Sequence, residues 1–154
     1  MTQVSRLVNS PVRTIEFAQL SGGSSIEDQM ERIMPSLGVV YVIAITRDGC
    51  SGCAEQKPLY NDLAGRMEAQ HHQLVSFSLI HVQYSEENMR QSSESKKILR
   101  HGAYPTYMVH VRSRFGPLEL YRAIYPSMRE LEKQVAASLE LAEHYKTDAE
   151  KNPN

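Results

Sequence analysis

A continuous apolar run from Val39 to Ile45 is the feature that most constrains the fold of this chain. The run is rich in β-branched residues and does not alternate with polar ones, so it predicts a strand that is covered on both faces. Strands of this kind lie inside sheets whose connections are helices. The run is also far too short to span a bilayer. We therefore expect an α/β protein.

Strand-like and helix-like patterns alternate along the rest of the chain. In chain order the predicted elements are a strand at 12–20 with Arg13, Ile15 and Phe17 facing inward, a helix from 26, the central strand at 39–45, a helix after residue 53, a strand at 74–84, a surface helix at 85–100, a hairpin at 107–124 and a helix after 127. Ser25 and Ser127 each stand three residues before an acidic residue, which is typical of a helix N-cap. The order β-α-β-α-β-α-β-β-α predicts a central mixed sheet with helices on both faces.

Length and charge limit the number of domains and the kinds of partner. The 154 residues suit one domain, spanning 1–154, with an N-terminal arm at 1–11 and a disordered tail at 146–154. A formal net charge of −1 implies no nucleic-acid or membrane partner. The N-terminus lacks the apolar core of a secretory signal. We therefore expect a cytoplasmic protein.

The chain has two cysteines, and they stand two residues apart in Cys50-Ser51-Gly52-Cys53. They follow the predicted central strand, at the carboxyl edge of the sheet, where functional sites collect in α/β proteins. So short a loop constrains the unfolded chain little, which favours redox chemistry or metal binding over a structural role. The six histidines form no second ligand pair, which disfavours a metal site within one chain.

Three separately placed features resemble the thioredoxin family. The first is the C-x-x-C motif after the first buried strand. The second is Pro58, five residues after Cys53, which matches a helix kinked just beyond the redox pair. The third is Tyr104-Pro105-Thr106, which looks like the family's X-Pro-Thr element with a cis bond before the proline. The resemblance covers roughly Val12 to Tyr145 and implies a thioredoxin-like fold.

The resemblance also implies a function, a thiol-disulfide oxidoreductase that needs no cofactor and acts on protein or small-molecule disulfides. A helix N-terminus stabilises a thiolate, so Cys50 is the expected nucleophile and the more deeply placed Cys53 the resolving thiol. The implied partners are proteins with disulfides and an unidentified reductase that donates electrons. The residues expected to contact substrate are Gly49, Ser51, Gly52, Tyr104 and Pro105.

The chain departs from the family's pattern at two positions. The family commonly has tryptophan before the first cysteine, where this chain has Gly49, and a buried aspartate six residues before it, where this chain has Ala44. Asp48 and Glu55 are candidates to move the proton of Cys53 instead. His101, near the expected groove, is interpreted as an exposed loop histidine. The direction of the reaction stays open.

Two other functions remain compatible with the sequence. One is a non-catalytic thioredoxin-like module that binds proteins or peptides through the groove near Tyr104. The other is a dimer in which Cys50 and Cys53 of each chain hold a metal ion or an iron–sulfur cluster with four thiolates.

Overall fold

The computed structural model describes residues 11–21 and 25–153 and contains a five-stranded mixed sheet. Its strands are β1 Val12–Glu16, β2 Val40–Arg47, β3 Val75–Val82, β4 Thr106–Ser113 and β5 Gly116–Ile124. They lie in the order β1-β3-β2-β4-β5, with β1, β3 and β2 parallel and β4 antiparallel to both of its neighbours. The predicted fold class is confirmed, and β1 lies at one edge of the sheet.

The described part of the chain also contains five helices, namely α1 Phe17–Leu20, α2 Ile26–Ile33, α3 Ser51–Gln70, α4 Arg90–Ile98 and α5 Met128–Lys151. The predicted N-caps are confirmed, because Ser25 and Ser127 accept hydrogen bonds from the backbone N–H groups of Asp28 and Glu130. α4 is shorter than the predicted 85–100. Among the described residues, no helix combines the length and the apolar character needed to cross a membrane.

The core lies on both faces of the sheet, as the apolar run in β2 predicts. On one face, α3 and α5 pack against the sheet through residues such as Leu63 and Leu131. On the other face, the core includes Phe17 of α1 and Met34, which directly follows α2. Every residue of β2 except Arg47 is buried. This strand therefore gives the two cysteines that follow it a rigid base.

The first predicted strand is wrong in its second half. The strand ends at Glu16, and residues 17–20 form one helical turn in which Phe17 and Leu20 are both buried. The Glu16 N–H donates to the side-chain oxygen of Gln19 at 3.0 Å, which begins the turn. Arg13 is exposed, although alternation placed it inward. Phe17 and Leu20 are three residues apart, so a helical turn places both on one face and buries both. A strand would place them on opposite faces of the sheet.

The tail predicted to be disordered is largely helical, since α5 continues to Lys151. Its last turns contact the β4–β5 hairpin: the Arg114 guanidinium lies 3.1 Å from Asp148 and donates to the carbonyl of Asn152 at 3.2 Å. These tertiary contacts stabilise a segment whose polar composition alone suggested disorder. The predicted N-terminal arm, except Pro11, lies outside the described residues.

Candidate active site

The two cysteines lie where β2 passes into α3. Cys50 is the N-cap residue of α3 and Cys53 lies in its first turn, and the two are joined by a disulfide. The backbone N–H of Cys53 donates to the Cys50 sulfur at 3.1 Å. Cys50 is partly exposed, whereas Cys53 is buried with 8% of its surface exposed. Cys50 is thus the more accessible sulfur, and the helix N-terminus favours negative charge on it.

The turn before Cys50 explains why glycine stands at position 49. Gly49 has a φ of 68°, in the left-handed region that side chains other than glycine disfavour. Ahead of it, the Arg47 guanidinium donates to the Asp48 carbonyl at 2.7 Å and stacks on the Tyr84 ring at 3.9 Å. The chain therefore begins α3 through a backbone conformation that a tryptophan at this position would strain.

A charged cleft of about 540 Å³ opens beside Cys53. Its lining includes Lys57, Asp48 and His81. Asp48 and His81, together with Glu16 outside the lining, form a group that we call the His81 cluster. The two ring nitrogens of His81 lie 2.8 Å from the carboxylates of Glu16 and Asp48 respectively. Among described residues no group of His, Cys, Asp and Glu is arranged to hold a metal ion.

The His81 cluster shifts the titration of its members. Burial opposes the charged form of His81, but hydrogen bonds to Glu16 and Asp48 outweigh it, so the pKa of His81 is raised. The bond from His81, aided by one from the backbone N–H of Tyr84, lowers the pKa of Asp48. The contacts within the cluster thus favour the protonated form of His81 and the ionised form of Asp48.

The Tyr104–Pro105 peptide bond is cis, and the loop that contains it is held from behind by His101. The interpretation of His101 as an exposed residue is wrong, because 7% of its surface is exposed. Its Nδ1–H donates to the Ala103 carbonyl at 3.1 Å, which leaves Nε2, 2.7 Å from the Ser95 hydroxyl, as an acceptor. Burial lowers the pKa of His101, which agrees with this neutral form.

Tyr104 is turned toward α4. Its hydroxyl lies 3.1 Å from that of Ser92, and its ring packs edge-to-face on His101 with 4.8 Å between centroids. The side chain is only partly exposed. This packing fixes the Tyr104–Pro105 backbone, and the predicted role of both residues in binding substrate stays a prediction.

Tyr125, which sequence reasoning missed, lies beside this loop and next to the first turn of α3. Its backbone N–H donates to the Pro105 carbonyl at 3.0 Å and its hydroxyl donates to the Glu55 carboxylate, a bond that raises the pKa of Tyr125. A side chain on Gly52 would begin 3.2 Å from the Tyr125 ring. The space next to Gly52 is therefore filled by the Tyr125 ring, whereas Ser51 is exposed. Only the fold brings Tyr125 here, so the sequence gives no local signal for it.

The remaining predicted positions fall on α3 and β2. Pro58 lies inside α3, which continues without interruption to Gln70. Ala44 is buried in β2 and pairs with Leu79 and Tyr107 on the neighbouring strands. Glu55, one of two candidates for proton transfer, is bound by Tyr125.

Comparison with known proteins identifies the fold. No model of a known family matches the chain, and no curated protein matches its sequence. A thioredoxin of Trichomonas vaginalis superimposes with a TM-score of 0.62 at 8% identity, covering 84% of this chain and 98% of its own. A thioredoxin of Trypanosoma brucei brucei gives 0.58 at 18% identity, covering 86% and 95%. Spinach chloroplast thioredoxin f, in its long form, gives 0.56 at 15% identity, covering 89% and 93%. The chain therefore has the thioredoxin fold, with a C-x-x-C pair at the start of α3.

Proposed function

We propose that this protein is a thiol-disulfide oxidoreductase that acts through Cys50 and Cys53. The observation that carries the proposal is the disulfide at the N-terminus of α3, in which one sulfur is partly exposed and the other is buried. Such unequal exposure suits one thiol that attacks and one that resolves. The N–H groups of the first helical turn favour the Cys50 thiolate.

The reaction that we propose transfers two electrons. The Cys50 thiolate attacks one sulfur of a substrate disulfide, the substrate S–S bond breaks, and the released sulfur leaves as a thiolate that takes up a proton. Cys53 then loses its proton and attacks the Cys50 sulfur of the mixed disulfide, which releases the second substrate thiol. The substrate gains two electrons and two protons, and the protein ends as the Cys50–Cys53 disulfide. Run backward, the same steps oxidise a dithiol.

Of the two carboxylates considered for the Cys53 proton, Asp48 is the better candidate. Asp48 lines the charged cleft together with Cys53, whereas Glu55 is bound by the Tyr125 hydroxyl on the other side of the motif. His81 holds Asp48 in place from the same cleft. We therefore assign the Asp48 carboxylate the transfer of this proton.

The partners follow from the chemistry. Reduction of substrate requires proteins with accessible disulfides, together with a dithiol reductase that returns two electrons to the Cys50–Cys53 disulfide. The exposed Ser51 and the Gly49 turn beside it would contact substrate, and so would the backbone of the Tyr104–Pro105 loop. A reducing compartment such as the cytoplasm would supply those electrons.

Single replacements of the two cysteines test this function. Cys53→Ser should trap a mixed disulfide between Cys50 and a substrate, because no second thiol is present to resolve it. Cys50→Ser should trap far less, because Cys53 is buried. Non-reducing electrophoresis after incubation with a disulfide-containing polypeptide measures both, with the double variant as control.

Wild-type protein should also show a reversible two-electron couple in a glutathione titration. If disulfide reduction survives the loss of both cysteines, or if the pair never forms and breaks reversibly, the proposal is wrong and a binding module is favoured. Visible absorbance from freshly purified protein would instead favour the cluster-holding dimer.

A further inference from the structure

We propose that Tyr125 positions polypeptide substrates over the Cys50–Cys53 pair and so makes the protein selective for polypeptide over small-molecule disulfides. This inference rests on the proposed function and adds a substrate class to it. The evidence is the way in which the rest of the molecule holds the Tyr125 ring beside the motif.

The segment that contains Tyr125 is held by three hydrogen bonds from two directions. The Tyr125 N–H donates to the Pro105 carbonyl at 3.0 Å, and the Tyr125 hydroxyl donates to Glu55 in the first turns of α3. The side chain of Gln56, which is buried, donates to the carbonyl of Pro126 at 2.7 Å. The ring is thereby fixed to both elements that border the cysteines.

The backbone of Tyr125 is itself unusual. Its φ is 50°, a left-handed value that is uncommon for residues with a side chain and rarer still for bulky ones. In most turns such a position is occupied by glycine or asparagine. The hydrogen bonds to Pro105 and to α3 maintain this backbone conformation. In it, the Tyr125 ring lies against Gly52.

The ring has one packed side and one open side. One edge lies 3.2 to 3.3 Å from where a Gly52 side chain would begin, and the Pro105 ring lies 3.4 Å from the same point. Nevertheless 44% of the Tyr125 surface is exposed. The chain contains no tryptophan. Tyr125 thus presents a flat apolar surface next to the thiols, on a part of the chain remote from the motif in sequence.

Such a surface distinguishes between substrates by their size. In the mixed disulfide, a polypeptide extends beyond the reacting sulfur and its flanking side chains can pack on the Tyr125 ring. A small disulfide has no flanking side chains that could pack on the ring. Contact with Tyr125 therefore raises kcat/KM for polypeptides more than for small disulfides.

The test compares two substrates, a synthetic peptide with one internal disulfide and bis(2-hydroxyethyl) disulfide. Tyr125→Gly removes the ring and suits the left-handed backbone, so the variant should fold, which thermal unfolding checks. We expect the ratio of kcat/KM for peptide over small disulfide to fall by about three- to tenfold, the range that one aromatic contact gives. Tyr125→Phe, which keeps the ring, should retain the ratio within about twofold. Phe115→Gly, which removes an exposed ring outside the site, should not change the ratio.

A double-mutant cycle with Gly52→Ala makes the test sharper. A methyl group on Gly52 would push against the Tyr125 ring, so Gly52→Ala should lower the ratio in the wild-type background and have little further effect in Tyr125→Gly. If Tyr125→Gly lowers both activities equally, or neither, the inference alone is overturned. If wild-type protein reduces neither substrate, the proposed function fails and the inference fails with it.

Discussion

The two sides of the Cys50–Cys53 pair are built in contrasting ways. On the Gly52 side, Tyr125 and Gln56 fill the space between the first turns of α3 and the Pro105 loop. On the other side, a cleft lined by both cysteines stays open, and its charged or titratable groups are Arg47, Lys57 and two members of the His81 cluster, Asp48 and His81. One side is packed and the other is charged.

Under the proposed function, this contrast separates two tasks, substrate contact and proton transfer. Substrate contact needs a firm, partly apolar surface, which the packed side offers through Tyr125. Proton movement needs titratable groups in reach of solvent, which the cleft offers through Asp48 and His81. In the thioredoxin family, as the resemblance implies, a tryptophan and a buried aspartate next to the motif would serve these needs. Here Gly49 and Ala44 occupy those positions, and Tyr125 and His81, which are distant from the motif in sequence, line one side each.

The largest effect on stability is expected from the packed side. Gln56→Ala removes the bond to the Pro126 carbonyl and the packing of a buried side chain, so the free energy of unfolding should fall by about 2 kcal/mol. Urea denaturation measures it. Gln70→Ala, at an exposed position on the same helix, is the matched control and should change little. A loss no larger than that of the control would mean that the packed side is held by other contacts.

The backbone at the turn before Cys50 should give the next effect. Gly49→Ala forces a side chain into left-handed backbone, which should lower the free energy of unfolding by about 1.5 kcal/mol. Gly65→Ala, in the exposed middle of α3 with open space around it, should instead raise it by about 0.5–1 kcal/mol. If the free energy of unfolding falls in Gly49→Ala and rises in Gly65→Ala, the left-handed turn, and not the loss of a glycine in itself, causes the destabilisation at position 49. Equal signs would refute it.

The smallest effect should come from the charged side and should depend on pH. The pKa of His81 is raised in the folded protein, so the stability that it contributes is complete below the unfolded pKa of about 6.5 and is lost as pH rises through the folded value. His81→Gln should therefore destabilise the protein by about 1 kcal/mol near pH 5.5 and very little near pH 9, since these groups are partly exposed. Urea denaturation at both pH values provides the test.

Asp48 sets the lower limit of the pH range in which the His81 cluster stabilises the folded protein. Its pKa is lowered, so the stability that it contributes is present above its unfolded value and is lost as pH falls through the folded one. His72→Gln is the matched control, because the His72 ring lies 3.6 Å from a carboxylate, that of Glu68, at an exposed position, and it should change the free energy of unfolding very little at either pH. Destabilisation by His81→Gln that is the same at both pH values would show that His81 acts by packing rather than by charge.

The fold was predictable where one periodicity dominated. The apolar run of β2 and the serine caps of α2 and α5 gave correct elements, because burial on both faces and the bonds of a helix start are local properties. The strand predicted at 12–20 and the disordered tail were wrong because tertiary contacts decided them. Phe17 and Leu20 are buried in the core because residues 17–20 form a helical turn. Asp148, near the end of α5, forms an ion pair with Arg114 of the β4–β5 hairpin.

Within the site, only the residues that belong to a local sequence motif were predictable. The spacing of the cysteines placed them at the start of α3, where the structure also has them. Tyr125 and His81 were missed as neighbours of the motif, because only the pairing of distant strands brings them to it. His101 was misread because a loop position says nothing about burial; its ring lies under the loop and not on it.

The left-handed turn at Gly49 has a consequence for how this site can change during evolution. Any other residue there strains the backbone before its side chain has made a single contact. A tryptophan at position 49 is therefore not one substitution away, because the turn between Arg47 and Cys50 would have to be rebuilt by neighbouring changes at the same time. The backbone conformation thus restricts which substitutions position 49 can accept. We expect new substrate contacts to evolve first on the strand ends and loops around Cys50 and Cys53.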